Sequence, residues 1–176
     1  NSQGGIVNLL TVKGDAGYKI WNGNVSDIYG TPTIKELVMD GGYARFTNYN
    51  GARVEKGTIE YNNKFYMNNG ASVGDLIVKQ SNVLNNYDGS NDPARACRID
   101  RLFTVSRSSI NNWDVGEIGA LYIIGEPYVS GISMEPYGPF DEPGRIGKLY
   151  YKIDTAKDTP ATFSFNDGTN ISTVVD

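Results

Sequence analysis

Short runs of alternating apolar and polar residues recur along the chain, each bounded by Gly, Asn, Asp or Pro. Period-two alternation with β-branched and aromatic enrichment is typical of half-buried β-strands. The clearest runs cover residues 6–12, 43–47, 58–61, 64–67, 76–80, 102–105, 120–124, 146–153, 161–165 and 172–175. The pattern therefore predicts an all-β protein.

Turn residues between neighbouring runs suggest how these strands connect. Asn62-Asn63 separates two runs, and Asn166-Asp167-Gly168 separates two more. Both segments suit the positive φ angles of tight β-hairpins, which join antiparallel strands. We therefore expect an antiparallel β-sandwich, jelly-roll-like, formed as a single domain over residues 1–176.

Helix signals are few. Residues 31–41 carry a Thr-Pro-Thr start and a closing Gly, and residues 92–98 begin with a capping Asp followed by Pro. Each segment supports about two turns. We expect one or two short helices beside the sandwich, and no long helices of the kind that cover a doubly wound parallel sheet.

A weak internal echo relates residues 117–124 to residues 145–152. The first reads EIGALYII and the second RIGKLYYK. Internal similarity can mark a repeat, but two equivalent strands of one sandwich explain it as well.

Charge and hydropathy exclude two classes of partner. The net charge is −4, and the 16 Lys and Arg residues are scattered singly, so no basic stripe could neutralise a row of phosphates. The apolar runs are far shorter than the ~20 residues that span a bilayer. We expect neither nucleic-acid binding nor membrane insertion.

The sequence contains no His. Ser-His-Asp and Cys-His nucleophile systems and the usual zinc sites are therefore excluded. Carboxylates at Glu126, Glu135, Asp141 and Glu142 lie near the irregular segment 132–144, but nothing fixes their separation, and solvated surface positions explain them. We expect a protein without catalytic machinery.

Calcium is the one cofactor for which the sequence offers ligands. Residues 85–92 place many oxygen donors on one loop, and Asp88, Ser90 and Asp92 are the candidate ligands. The alternative is an ordinary turn in which Asp92 caps a short helix.

The N-terminal segment suggests self-association. A Gly4-Gly5 leader precedes an apolar strand whose candidate interface residues are Ile6, Val7, Leu9, Leu10 and Val12. Such a strand, free at one end, could be donated to the sheet of another copy and, repeated head to tail, would build a homopolymer. The alternative is that the strand pairs within its own sheet.

Other candidate positions are less specific. Trp21, Tyr49, Tyr87, Trp113 and Tyr137 sit among polar residues and could stack on sugars, although core packing explains each of them. The single Cys97 is expected to be a small core side chain. Sequons at Asn24 and Asn170 would accept glycans on a secreted chain, and a start at Asn1 fits cleavage of an export signal.

Some of these features resemble secreted β-sandwich fibre subunits, the camelysin-like and archaeal cannula or bundling-pilus class. The resemblance is carried by the glycine-led strand 4–12, the Asp- and Asn-rich turns and the predicted hairpin 161–168. It implies an extracellular or cell-surface filament or tubule built by donated N-terminal strands, with calcium as reinforcement.

Two alternatives stay open. A structural subunit of a virus or phage, in the capsid, decoration or tail, would share the predicted fold. A non-catalytic module that binds glycans or a scaffold partner is the second, because residues 147–153 followed by residues 161–165 resemble the closing strands of cohesin-like sandwiches.

Overall fold

The computed structural model describes residues 4–13, 17–23, 31–86, 92–105, 108–113, 115–124, 130–133, 144–151 and 170–175. Within these ranges the chain forms two β-sheets. Sheet A contains, in spatial order, β1 (Ile6–Lys13), β3 (Thr33–Asp40), β5 (Arg53–Glu60), β7 (Ser72–Lys79), β9 (Arg98–Val105), β11 (Glu117–Ile124), β13 (Arg145–Tyr151) and β14 (Asn170–Val175). Sheet B contains β2 (Lys19–Asn22), β4 (Arg45–Tyr49), β6 (Lys64–Asn68), β8 (Asn82–Asn85), β10 (Ser108–Asn112) and β12 (Ser130–Ser133).

Every described strand pair is parallel. From β1 to β13, consecutive strands alternate between the two sheets, so the chain returns to each sheet one strand further along. This path is a coil of stacked rungs, a parallel β-solenoid, in which each rung contacts mainly its neighbours. Val54 of β5, for example, lies between Ile34 of β3 and Val73 of β7.

The core lies between the sheets and is built from repeated positions. In β3, β5, β7, β9 and β11 the second, fifth and seventh residues are buried, as Ile34, Leu37 and Met39 are in β3. Two successive outward residues therefore separate the first two buried positions, and each strand bends there. Stacking the rungs aligns the buried side chains into ladders that are apolar except at Gly57 and Thr104.

Sheet B contributes the opposite wall of the core. Phe46 and Phe65 are fully buried on adjacent strands, and their rings stack with centroids 5.3 Å apart and planes 13° from parallel. Offset stacking adds to the hydrophobic contribution of two such side chains.

Buried asparagines join the rungs at one corner. Asn48 donates through Nδ2 to the Ala52 carbonyl oxygen in its own rung and to the Ser72 carbonyl oxygen in the next. Asn112 does the same with Gly116 and Arg145. These bonds satisfy carbonyl groups where the chain turns from sheet B into sheet A, which is why amides are tolerated inside the protein.

The expected antiparallel, jelly-roll-like β-sandwich is wrong. Tyr61 and Asn62 do adopt positive φ, as a tight turn requires, but the strands on either side, β5 and β6, belong to different sheets. The turn is therefore a corner of the coil and not a hairpin. Positive φ is required by the local chain reversal, and it does not decide whether the flanking strands pair with each other.

The helix predictions also need correction. The segment predicted as a helix over 31–41 is strand β3, because Ile34, Leu37 and Met39 extend ladders that neighbouring rungs supply. At 92–98 the structure has one 3₁₀ turn, Pro93–Arg95, capped by Asp92. The second predicted hairpin turn, residues 166–168, lies outside the described residues.

Candidate functional site

The bend of sheet A places a line of charged side chains on the outer surface. Consecutive strands pair Glu36 with Lys56, Lys56 with Asp75, and Asp75 with Arg101. We call these four residues the charge column. The signs along it alternate, and the register continues to uncharged residues at both ends, Leu9 and Ala120.

One pair within the charge column is fixed by a two-pronged contact. The Arg101 Nε and Nη2 atoms donate to the two carboxylate oxygens of Asp75, each at 2.6 Å. This hydrogen bonding raises the pKa of Arg101, which stays cationic. A bidentate pair fixes orientation as well as charge, so the positive end of the column has a defined position.

An aromatic column begins on β9, the strand on which the charge column ends. Phe103, Tyr122 and Tyr150 stack one above the other on three successive rungs, with centroids 4.6 Å and 4.5 Å apart. All three are half-buried and lie on the outward positions of β9, β11 and β13. The spacing of paired parallel strands, about 4.8 Å, suits such stacking.

A groove of about 400 Å³ lies beside the charge column on the outer surface of sheet A and reaches the aromatic column at Phe103. Its apolar surface comes from Ile77, Phe103, Val105 and Ile124, and its charged rim from three residues of the charge column. Gly57 and Thr58, two of the residues that line the groove, have short side chains. Ile77 and Ile124 are 37% and 45% exposed, so apolar surface remains available for contact.

The groove was not foreseen from the sequence. A signal existed in segments such as Val73-Gly74-Asp75-Leu76 and Ile99-Asp100-Arg101-Leu102, where a buried residue is followed by two outward ones and a second buried one. The groove presents both apolar and charged side chains, which together could contact the surface of a partner molecule.

The N-terminal strand is the outermost strand of sheet A at one end. β1 pairs in parallel with β3 of its own chain. This agrees with the alternative that the strand pairs within its own sheet. Among the predicted interface residues, Ile6 and Leu9 are 66% and 56% exposed, Val7 and Leu10 are half-buried, and Val12 is buried. Its other edge is not paired with any described strand.

The predicted calcium ligands are only partly visible. Asp88 and Ser90 lie outside the described residues. Asp92 accepts a hydrogen bond from the Ala94 amide at 2.9 Å and lies 3.8 Å from the Arg95 guanidinium. In the part of the chain that is described, no cluster of three or more acidic, Cys or His residues could hold a metal.

The remaining candidates are scattered. Trp21 is exposed, whereas Tyr49 and Trp113 are half-buried on other rungs. Tyr87, Tyr137, Asn24 and the carboxylates from 126 to 142 lie outside the described residues, and Asn170 begins β14. Cys97 is buried, which confirms its expected place in the core.

Comparison of the chain with protein-family models, with curated proteins and with solved structures finds no match. None of the helical segments within the described ranges has the length and apolar character needed to cross a bilayer.

Proposed function

We propose that the chain is a non-catalytic structural module that assembles end to end into an extracellular filament, with β1 as the junction. The observation that carries this proposal is the outer edge of β1, which no described strand covers and beside which the side chains of Ile6 and Leu9 are exposed. An unpaired parallel edge is a ready template for another strand.

The two ends of sheet A share the spacing of two apolar positions. In β1 these are Val7 and Leu10, which pair with Ile34 and Leu37. At the other end, Ile171 and Val174 of β14 pair with Ile146 and Leu149. A β14 strand placed against β1 of another copy would therefore continue the ladders in the register used within the chain.

This junction makes an open assembly. Because β1 and β14 are different surfaces, their contact is head to tail, and a head-to-tail contact that does not close produces a filament. The strand does not need to leave its own sheet, so the proposal is addition of a further rung and not exchange of β1. Calcium bound by the 85–92 loop would reinforce the assembled form.

The test is to block the edge without disturbing the pairing to β3. The Thr33 amide donates to the Gly5 carbonyl oxygen at 2.9 Å, so the backbone of the following residue, Ile6, points to the outer edge. Ile6→Pro removes an outward N–H and should shift assembly to at least about tenfold higher concentration. Ile6→Ala is the matched control, since it shortens the side chain but retains the N–H.

Analytical ultracentrifugation and electron microscopy give the readout. We expect wild type and Ile6→Ala to form species that lengthen with protein concentration, and Ile6→Pro to remain short. A wild-type chain that sediments only at 19.3 kDa, or Ile6→Pro filaments equal to those of wild type, would overturn the proposal.

A further inference from the structure

Beyond end-to-end assembly, we propose that the groove of sheet A binds the same groove of a second copy in antiparallel orientation, about a two-fold axis that passes between β5 and β7. The contact is lateral and closed, whereas the junction at β1 is axial and open. The lateral contact rests on the groove and the charge column, and the axial junction rests on the edge of β1.

The order of charges carries the inference. From β3 to β9 the charge column reads negative, positive, negative, positive. A two-fold axis at its midpoint sets Glu36 opposite Arg101 of the second copy and Lys56 opposite Asp75 of the second copy. Each of the four charges in one copy then faces a charge of opposite sign in the other copy.

Other relative placements match less well. Parallel copies in register oppose like charges at all four positions. Parallel copies shifted by one rung leave Glu36 and Arg101 unmatched at the ends, and that contact does not close. Charge complementarity therefore selects the antiparallel, closed arrangement.

The neighbouring outward positions agree with the same axis. It sets Lys35 opposite Asp100 of the second copy and Glu55 opposite Gly74 of the second copy, so no like charges meet there. At the ends of the charge column, Leu9 meets Ala120 of the second copy, and both are uncharged.

The sizes of the side chains beside the groove also match about this axis. The outward positions beside the groove read Val38, Thr58, Ile77 and Phe103 from β3 to β9. The axis sets the short Thr58 opposite Ile77 of the second copy, and Val38 opposite Phe103 of the second copy. The larger side chain of each opposed pair thus meets the smaller one, and the exposed surface of Ile77 is covered.

A charge-swap experiment tests the axis directly. Lys56→Glu and Asp75→Lys each place two pairs of like charges in the homodimer, so each variant alone should dimerise at least about tenfold more weakly than wild type. Mixed together they restore an opposite charge at every position. We expect the mixture to form a heterodimer at wild-type strength.

The experiment is performed with Ile6→Pro present in both chains, so that the edge of β1 does not contribute. Sedimentation equilibrium of each variant and of the equimolar mixture gives the dissociation constants, with one chain fluorescently labelled. Lys148→Glu is the matched control. Lys148 lies in the same register two rungs beyond Arg101, its replacement changes the net charge as much as Lys56→Glu does, and the axis sets it opposite no described residue of the second copy. It should leave dimerisation unchanged.

Three results would overturn the proposal: a parent chain that stays monomeric at about 100 μM, where a micromolar contact is well populated; Lys56→Glu dimers as stable as wild type; or a mixture no more associated than its components. Circular dichroism of each variant verifies the fold. Weakening of the dimer by salt is expected as well, because exposed pairs are screened.

Discussion

Asn85 donates through Nδ2 to the Oδ1 atom of Asn112 at 2.7 Å, and both side chains are fully buried one rung apart. Asn112 in turn holds the carbonyl groups of Gly116 and Arg145. We expect Asn112→Leu to lower the free energy of unfolding by about 2 kcal/mol, because the Asn85 amide and both carbonyls lose partners. Denaturant unfolding measures the loss, with the partly exposed Asn111→Leu as the control; equal losses in the two variants would contradict the expectation.

The line of buried amides is interrupted at Met67. Asn22 donates to Asn48 and Asn85 donates to Asn112, but the position between these pairs is Met67, which is paired with Asn48. The Oδ1 atom of Asn85 is buried without a hydrogen-bond partner. Met67 has no amide to donate to it, which accounts for the orphan acceptor.

Met67→Asn should complete this line. The new amide would supply a donor to Asn85 and an acceptor to Asn48, offsetting the lost apolar burial. We expect Met67→Asn to be less destabilising than Met67→Ala, for which the cost is about 3 kcal/mol. The advantage should vanish when Asn85 is replaced by Ala; an advantage of equal size in that background would rule out the explanation.

Glycine is required where rungs approach closely at the bend. A Cβ atom on Gly119 would lie 2.7 Å from the Asp100 carbonyl oxygen, and one on Gly147 would lie 2.5 Å from the Gly119 carbonyl oxygen. Gly119→Ala should therefore cost about 2 kcal/mol of stability through overpacking. Asp100→Ala is the matched control, since that position already carries a Cβ, and it should change thermal stability much less.

The sequence predicted the strands better than their arrangement. Residues 117–124 and 145–152 resemble each other because β11 and β13 are adjacent rungs, paired from Glu117 with Arg145 to Ile123 with Tyr151. The period was hidden because rung lengths differ: Val54 pairs with Val73, 19 residues further on, whereas Val73 pairs with Ile99, 26 residues further on. The longer interval contains residues 87–91 and the 3₁₀ turn.

Local chemistry could not separate a hairpin from a corner of the solenoid. Asn50 and Gly51 adopt positive φ, and so do Asn69 and Gly70 directly beneath them. The Asn69 Nδ2 atom donates to Asn50 Oδ1 at 2.7 Å, a contact between residues far apart in sequence. The same separation in sequence kept the charge column from view, since its four members come from four strands.

Lys79 makes the stability of the protein depend on pH in the alkaline range. A hydrogen bond with the Glu60 carboxylate raises the pKa of Lys79 above 10.5. The folded state therefore binds this proton more tightly than the unfolded chain, and the contribution is complete below pH 10.5 and is lost as pH rises through the folded pKa. Because the pair is partly exposed, the contribution is at most about 1 kcal/mol.

We therefore expect the stability difference between wild type and Lys79→Met to be measurable at neutral pH and to shrink in alkali. Urea unfolding at a series of pH values provides the check. Lys64→Met, at an exposed position of β6, is the control; a difference for Lys79→Met that grows with pH would contradict the assignment.

Calcium is tested by titration against thermal unfolding. If the 85–92 loop binds the ion, millimolar calcium should raise the Tm of wild type, and Asp88→Ala should abolish the rise. Asp92→Ala should also lower the Tm in the absence of calcium. It removes the cap on Ala94, which contributes about 1 kcal/mol to the free energy of unfolding. A wild-type Tm unchanged by calcium would end the proposal of calcium reinforcement.

The missing amide at Met67 also has a mechanical consequence. When the solenoid is stretched along its axis, the hydrogen bonds of the sheets and those of the amide line carry the force together from each rung to the next. Between Asn48 and Asn85 two links of the amide line are missing, so we expect the least resistance to stretching there. Stretching a single molecule should therefore separate the N-terminal and C-terminal rungs at β6 first.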